Sequence, residues 1–258
     1  MDMRKLGFIG TGAITEHVIT GLIVKGGYAE EIVVSERSRE RSRKLAEQFS
    51  NVRVESENQA IVKQVDMVFV GVLPQQTLEV LESLTFRPDQ VIVSMASIVS
   101  VGQLAKVVAP ATQIHRIIPM PPNEIGVGPI PIFPSSPVVE ALLSQIGTMV
   151  PVEEEQHFST FSAGSAVMAT FFELVATHAE WLQEKGVPEE AATRYSTAVF
   201  HSLATQIQDL DPEQLQKVSE ECLTAGGLNE QLLRETRQAE WYEELQVGLE
   251  QILERVSV

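Results

Sequence analysis

In the first half of the chain, short unbroken apolar runs alternate with stretches whose apolar positions recur at helical spacing. Leu6 to Ile9 stops at Gly10, and an amphipathic segment begins at Ala13. Ile32-Val33-Val34 precedes Arg39 to Phe49, which repeats Leu45, Ala46 and Phe49 on one face. Val52-Arg53-Val54, Met67 to Val72 (interrupted only by Gly71), Val91-Ile92-Val93 and Ile114 to Ile118 complete the series. Continuous apolar strands separated by helices predict a parallel sheet covered on both faces. Right-handed crossovers then give an α/β, Rossmann-like, doubly wound and mostly parallel arrangement. The next run carries Pro129, Pro131 and Pro134 and is expected at a sheet edge, where a missing N–H is tolerated.

The pattern changes near Pro151. Helical periodicity runs through Phe158 to Leu182, Pro188 to Leu210, Pro212 to Ala225, Asn229 to Gln238 and Trp241 to Val256. Gly186-Val187-Pro188 reads as a helix stop and a new start, and Asp211-Pro212-Glu213 as a capped start. The division expected is an α/β domain over 1–152 and an all-helical domain over 153–258. Phe158 to Ala176 approaches membrane length but holds Ser159, Ser162, Gly164, Ser165 and Glu173, so it is expected as a buried helix rather than a span. The closing stripe Leu245, Leu249, Ile252 and Val256 needs a partner surface, which predicts a homodimer or larger homo-oligomer.

Composition narrows the function. The 258 residues carry 19 Lys and Arg against 35 Asp and Glu, a net charge of −16, which opposes binding to nucleic acid or anionic membrane. Cys222 is the single cysteine, which rules out an internal disulfide. The five histidines (His17, His115, His157, His178 and His201) show no metal spacing, and no metal is expected. No basic–apolar leader precedes the first strand, so the expected location is cytoplasmic.

The candidate chemistry begins at Gly10-Thr11-Gly12-Ala13-Ile14, a glycine turn between a strand and a helix. Gly10 permits the turn, Gly12 lets phosphate oxygens approach the main chain, and the N–H groups of Ala13 and Ile14 open the helix beneath a pyrophosphate. Thr15 takes the place of the third glycine. After the second strand, Glu36-Arg37-Ser38-Arg39 falls where an adenine ribose is read. Arg37, Ser38 and Arg41 suit the 2′-phosphate of NADP, and Glu36 suits the free hydroxyls of NAD; NADPH is favoured, with NADH the alternative. Val72-Leu73-Pro74-Gln75 and Ser94-Met95-Ala96-Ser97 close two further strands at the edge where ligands bind. They place Val72, Leu73, Pro74 and Ala96 beside the cofactor.

The order of these segments resembles pyrroline-5-carboxylate reductase over nearly the whole chain. Besides the glycine turn, Glu36-Arg37-Ser38 resembles that family's Asn-Arg-Ser segment. Val72-Leu73-Pro74-Gln75 resembles Val-Lys-Pro-Gln, and Arg116-Ile117-Ile118-Pro119-Met120-Pro121-Pro122 resembles Arg-x-Met-Pro-Asn-Thr-Pro. Ser162-Ala163-Gly164-Ser165-Ala166 stands at the Gly-Ser-Gly-Pro-Ala position, and Glu173 on the family's glutamate. Leu223-Thr224-Ala225-Gly226-Gly227-Leu228-Asn229 resembles Thr-Ser-Pro-Gly-Gly-Thr-Thr. The resemblance implies NAD(P)H-dependent reduction of a cyclic imine, 1-pyrroline-5-carboxylate to L-proline, with a helical dimerisation domain. It also implies a substrate bound at Met120, Gly226, Gly227 and Asn229. Leu73, Met120 and Leu228 depart from the motifs, each replacing a polar residue, and Asn123 lies three residues late to stand in for the asparagine.

Hydride transfer to a protonated imine asks mainly for orientation and a dry pocket, which fits a chain without an evident triad or dyad; no proton donor is assigned. β-Hydroxyacid dehydrogenases also join a Rossmann domain to helices but need a lysine on the long helix, and Gly164 to Glu173 has none. Two alternatives stay open: a related reductase acting on a different imine, and a nucleotide-binding regulator without catalysis.

Overall fold

The computed structural model describes residues 4–257. They form two compact units, one holding the chain up to Ala163 together with the tail from Leu253, the other Gly164–Ile252. The first unit thus runs on past the change of pattern at Pro151.

In chain order the first unit contains β1 (Leu6–Ile9), α1 (Ala13–Val24), β2 (Ile32–Ser35), α2 (Arg39–Gln48), β3 (Val52–Glu55) and α3 (Asn58–Gln64). These are followed by β4 (Met67–Val70), α4 (Pro74–Glu82), β5 (Val91–Ser94), α5 (Val101–Val107) and β6 (Gln113–Ile117). A 3-10 turn (Pro121–Ile125), β7 (Pro129–Phe133), α6 (Pro137–Leu143), β8 (Thr148–Pro151) and α7 (His157–Gly164) complete it. The sheet order is β3-β2-β1-β4-β5-β6-β7-β8, parallel throughout except for β6 against β7. The chain winds outward in both directions from β1, so the switch point lies between β1 and β4. A crevice outside the carboxyl ends of the strands is expected there.

The unbroken apolar runs are explained by two cores, one on each face. In β4, Met67 and Phe69 enter one core and Val68 and Val70 the other. Phe8 stacks on Phe69 across β1 and β4, ring centroids 4.6 Å apart.

Two strand expectations need correction. The proline-rich run is not an edge: β7 lies between β6 and β8, and β8, which no sequence signal announced, is the edge strand beside it. The prolines are accommodated because they alternate. The Pro131 carbonyl accepts from Ile118 N–H, so Pro129 and Pro131 turn their missing donors toward β6. The carbonyl groups of Gly128 and Ile132 face the other way and accept from Thr148 and Val152. The cost appears as a short β6–β7 register, Arg116 with Phe133 and Ile117 with Ile132.

The second unit is helical: α8 (Val167–Glu184), α9 (Glu189–Gln206), α10 (Pro212–Glu221), α11 (Leu228–Gln238) and most of α12 (Trp241–Val256). Asp211 caps α10 as expected, its carboxylate accepting from Gln214 N–H at 2.8 Å. α8 and α9 pack together through Phe171 and Phe200 and through a 2.8 Å bond between His178 Nδ1 and Ser196 Oγ. The expectation of one buried helix from Phe158 is not met. The stretch breaks between α7 and α8, and only 11% of its most apolar window is buried, although His157–Glu184 has the length and apolarity of a membrane span. Phe172 is 58% and Trp181 54% exposed. Two helices bury only the faces they turn to each other, which leaves the outer apolar face without cover in a single chain.

Candidate active site

The Gly10–Gly12 turn sits at the switch point. Gly10 has φ +92°, and a Cβ there would stand 2.6 Å from main-chain atoms of Gly71. The turn can therefore close only because β1 and β4 both end in glycine. Gly12 is different: its φ is −80°, and a Cβ would meet nothing nearer than the Gly71 carbonyl oxygen at 3.9 Å. Neither backbone conformation nor packing demands glycine at this position. Gly12 is also the N-cap of α1 and has no side chain to satisfy the first N–H groups of the helix, including those of the exposed Ala13 and the half-buried Ile14. An open cradle over free N–H groups and a positive helix end suits a pyrophosphate, so the residues fit a dinucleotide.

The turn is fixed from below. Ser35 Oγ, at the end of β2, accepts from Gly10 N–H at 2.8 Å, and Thr11 Oγ1 donates to the Ser35 carbonyl at 2.7 Å. The Thr11 side chain is thus buried in the scaffold rather than facing a ligand. Thr15, in place of the third glycine, donates from Oγ1 to the Gly10 carbonyl at 2.8 Å. Glu16 takes Lys44 at 2.7 Å and Arg41 at 2.8 Å, and its bond to Lys44 holds its carboxyl below the ordinary range against the opposing pull of burial.

Glu36, Arg37 and Ser38 form the turn after β2. Glu36 lies 3.6 Å from Arg39, Arg37 Nη2 donates to Gln76 Oε1 at 2.9 Å, and Ser38 begins α2 with a hydroxyl that does not cap it. Arg41, expected near the same phosphate, is committed to Glu16. On the other side of β1, Val72 is buried, Leu73 is the exposed N-cap of α4 and Pro74 its first residue. Ala96 is buried after β5 and donates its N–H to Ser94 Oγ.

Met120 is half-buried ahead of the 3-10 turn, and its N–H donates to Asn123 Oδ1 at 2.6 Å. Asn123 is fully buried, and its amide also donates to the Val127 and Ile146 carbonyls. It is therefore spent on holding its own loop and does not replace the missing asparagine.

In the second unit, Gly226 and Gly227 precede α11. Gly226 N–H donates to the Glu230 carboxylate at 2.6 Å, Gly227 N–H to the Thr224 carbonyl at 2.7 Å, and Asn229 Nδ2 to the Cys222 carbonyl at 3.2 Å. These three donors are already paired inside the turn, a feature no spacing in the sequence announces. Leu228 is 86% exposed.

Sequence reasoning gave no role to Ser35, Gly71, Gln76, Arg116 or Glu155, although Arg116 opens one of the motifs compared above. Arg116 is 4% exposed, bonds Glu155 at 2.7 Å and the Ser97 carbonyl, and lies 4.3 Å from the centre of the Phe158 ring. Burial pulls its guanidinium below the ordinary value, while Glu155 acts in the opposite direction. Glu155 also accepts from Val101 N–H at 2.7 Å, so this pair ties the loop after β5 to the segment leading into α7. An arginine inside an apolar run was the available signal.

Comparison with known proteins follows this geometry. A family described as NADP oxidoreductase, coenzyme F420-dependent, matches residues 5–97. Pyrroline-5-carboxylate reductase of Vibrio alginolyticus is 25% identical over 246 residues, covering 91% of this chain and 89% of that protein. The crystal structure of 1-pyrroline-5-carboxylate reductase from Streptococcus pyogenes shares the fold with a TM-score of 0.83 at 24% identity, covering 98% of each chain. The Plasmodium falciparum pyrroline carboxylate reductase with NADP bound also has a TM-score of 0.83, at 16% identity over 100% of this chain and 98% of that one. The likeness to pyrroline-5-carboxylate reductases thus runs through both units and is not confined to the dinucleotide-binding half.

Proposed function

We propose that this chain is an NAD(P)H-dependent reductase of C=N bonds that converts 1-pyrroline-5-carboxylate to L-proline in the cytoplasm, with NADPH the favoured donor. The observation that carries the cofactor reading is Gly12: a glycine whose Cβ would enter open space, over unpaired helix N–H groups at the switch point of the sheet. In this reading Thr11, Gly12, Ala13 and Ile14 hold the pyrophosphate through main-chain groups, and Gly10, whose own N–H and carbonyl are taken by Ser35 and Thr15, shapes the turn that presents them. Arg37 and Ser38 take the 2′-phosphate, and Val72, Leu73, Pro74 and Ala96 line the remainder. When bound, the dihydronicotinamide supplies a hydride equivalent. That hydride would reduce the C=N bond of an imine already protonated on nitrogen, so the chain's own part would be to orient the two reactants and exclude water rather than to supply a strong acid.

Substrate binding is assigned, from the resemblance, to Met120, Gly226, Gly227 and Asn229; a carboxylate held at the Gly226–Gly227 turn would displace Glu230 from Gly226 N–H. Residues 153–258 serve as the dimerisation and substrate domain of a homodimer or larger assembly; the uncovered apolar faces of α8 and α9 support this. A second reading, reduction of an imine lacking a carboxylate, is favoured by one observation: the donors of that turn are already paired.

NADPH oxidation with 1-pyrroline-5-carboxylate, with proline identified as the product, tests the proposal, and 1-pyrroline in parallel separates the two readings. Cofactor binding without turnover of either imine refutes both and leaves a nucleotide-binding regulator.

A further inference from the structure

Arg37, Arg39 and Arg41 follow β2, and the structure treats them differently. Arg39 sits 3.6 Å from the Glu36 carboxylate, and Arg41 donates to the Glu16 carboxylate at 2.8 Å. Both charges are balanced within the protein. Arg37 instead donates to a neutral amide, Gln76 Oε1, at 2.9 Å. Gln76 lies in the first turn of α4, beyond β4, and Arg37 lies beyond β2. Because β2 and β4 flank β1, this bond joins the two segments on either side of the Gly10–Gly12 turn.

We infer that Gln76 is a positioning residue that sets selectivity for NADPH over NADH by holding the Arg37 guanidinium at the mouth of the dinucleotide site. The inference rests on the reading that Arg37 receives the 2′-phosphate. A long exposed arginine loses rotamer freedom when it binds a phosphate, and a partner that orders it beforehand removes part of that loss. The partner must not cancel the charge. An amide oxygen occupies one of the five N–H donors and leaves the positive charge whole, whereas a carboxylate at the same place would neutralise it and repel the phosphate.

The test is the dissociation constant of NADPH and of NADH, each by fluorescence titration, for the parent chain, Gln76→Ala, Gln76→Glu, Arg37→Ala and the double variant Arg37→Ala/Gln76→Ala. Gln76→Ala is expected to weaken NADPH by about threefold to tenfold, the scale of one hydrogen bond, and NADH by under about twofold. Gln76→Glu should weaken NADPH further still. In the Arg37→Ala background the Gln76→Ala change should have no further effect on NADPH, because its action passes through Arg37. Equal weakening of both cofactors, or additive losses in the double variant, would overturn the inference and leave Gln76 as part of the α4 scaffold. If Arg37→Ala shifts the NADPH/NADH ratio and Gln76→Ala does not, the Gln76 inference fails alone. If Arg37→Ala leaves the ratio unchanged, the 2′-phosphate reading fails and takes the inference with it.

Discussion

The two glycines of the first turn should respond in opposite ways to the same added methyl group. Gly10→Ala forces an L side chain into φ +92°, and its Cβ would stand 2.6 Å from the Gly71 carbonyl carbon and oxygen. The left-handed conformation costs about 1–2 kcal/mol, and an overlap with main chain that cannot swing away adds about 1–3 kcal/mol. For a unit of this size that corresponds to a fall in Tm on the order of 10 °C. Gly12→Ala meets nothing within 3.9 Å at φ −80°. The poorer N-cap costs about 1 kcal/mol, and the reduced freedom of the unfolded chain returns about 0.4–1 kcal/mol, so Tm should move by only about 2 °C. The same methyl fills the place where a pyrophosphate must approach the main chain, and NADPH affinity should fall by on the order of tenfold or more, about 1.4 kcal/mol. Thermal melts of both variants and fluorescence titration with NADPH give the two readouts. A Gly12→Ala protein that binds NADPH like the parent would refute the cradle. An unchanged Tm for Gly10→Ala would refute the account of the β1–β4 crossing.

Arg116→Met should lower stability by about 2–3 kcal/mol in urea unfolding, because it leaves Glu155 and the Ser97 carbonyl without their guanidinium; a loss under about 0.5 kcal/mol would show the pair to be dispensable. Burial lowers the pKa of His115, against the bond to the Pro134 carbonyl, so folding favours neutral imidazole. Its contribution is full above the unfolded value near 6.5 and is lost as pH falls below it; His115→Gln should flatten the stability profile between about pH 7 and 5, and an unchanged slope would assign that limb to other groups. Phe172→Glu, on the uncovered face of α8, should shift sedimentation from dimer to monomer and abolish imine reduction; an active monomer of the parent chain would refute the proposed assembly. Glu230→Ala frees the Gly226 N–H, so KM for 1-pyrroline-5-carboxylate should fall about threefold to tenfold while NADPH affinity holds; a rise in KM would place the carboxylate elsewhere.

What the sequence determined by itself was what short-range chemistry encodes. Unbroken apolar runs are legible as doubly covered strands because each residue of such a run meets a core on one face or the other. Asp211 ahead of Pro212 is legible as a cap because the bond closes over three residues. Gly10 and Gly12 are legible because a strand ends and a helix starts within three positions. Only tertiary structure decided which of those glycines serves packing and which leaves open space, since that depends on Gly71, sixty residues away. It also turned the prolines of β7 toward β6 and supplied β8 as the edge, a matter of which neighbour each N–H faces. It paired Arg37 with Gln76, Arg116 with Glu155 and Gly226 with Glu230, bonds that reward a particular geometry and leave no periodic trace. The apolar face of α8 marks the same boundary: its periodicity announces that something must cover it, but cover depends on what packs there, and within one chain most of that face stays open.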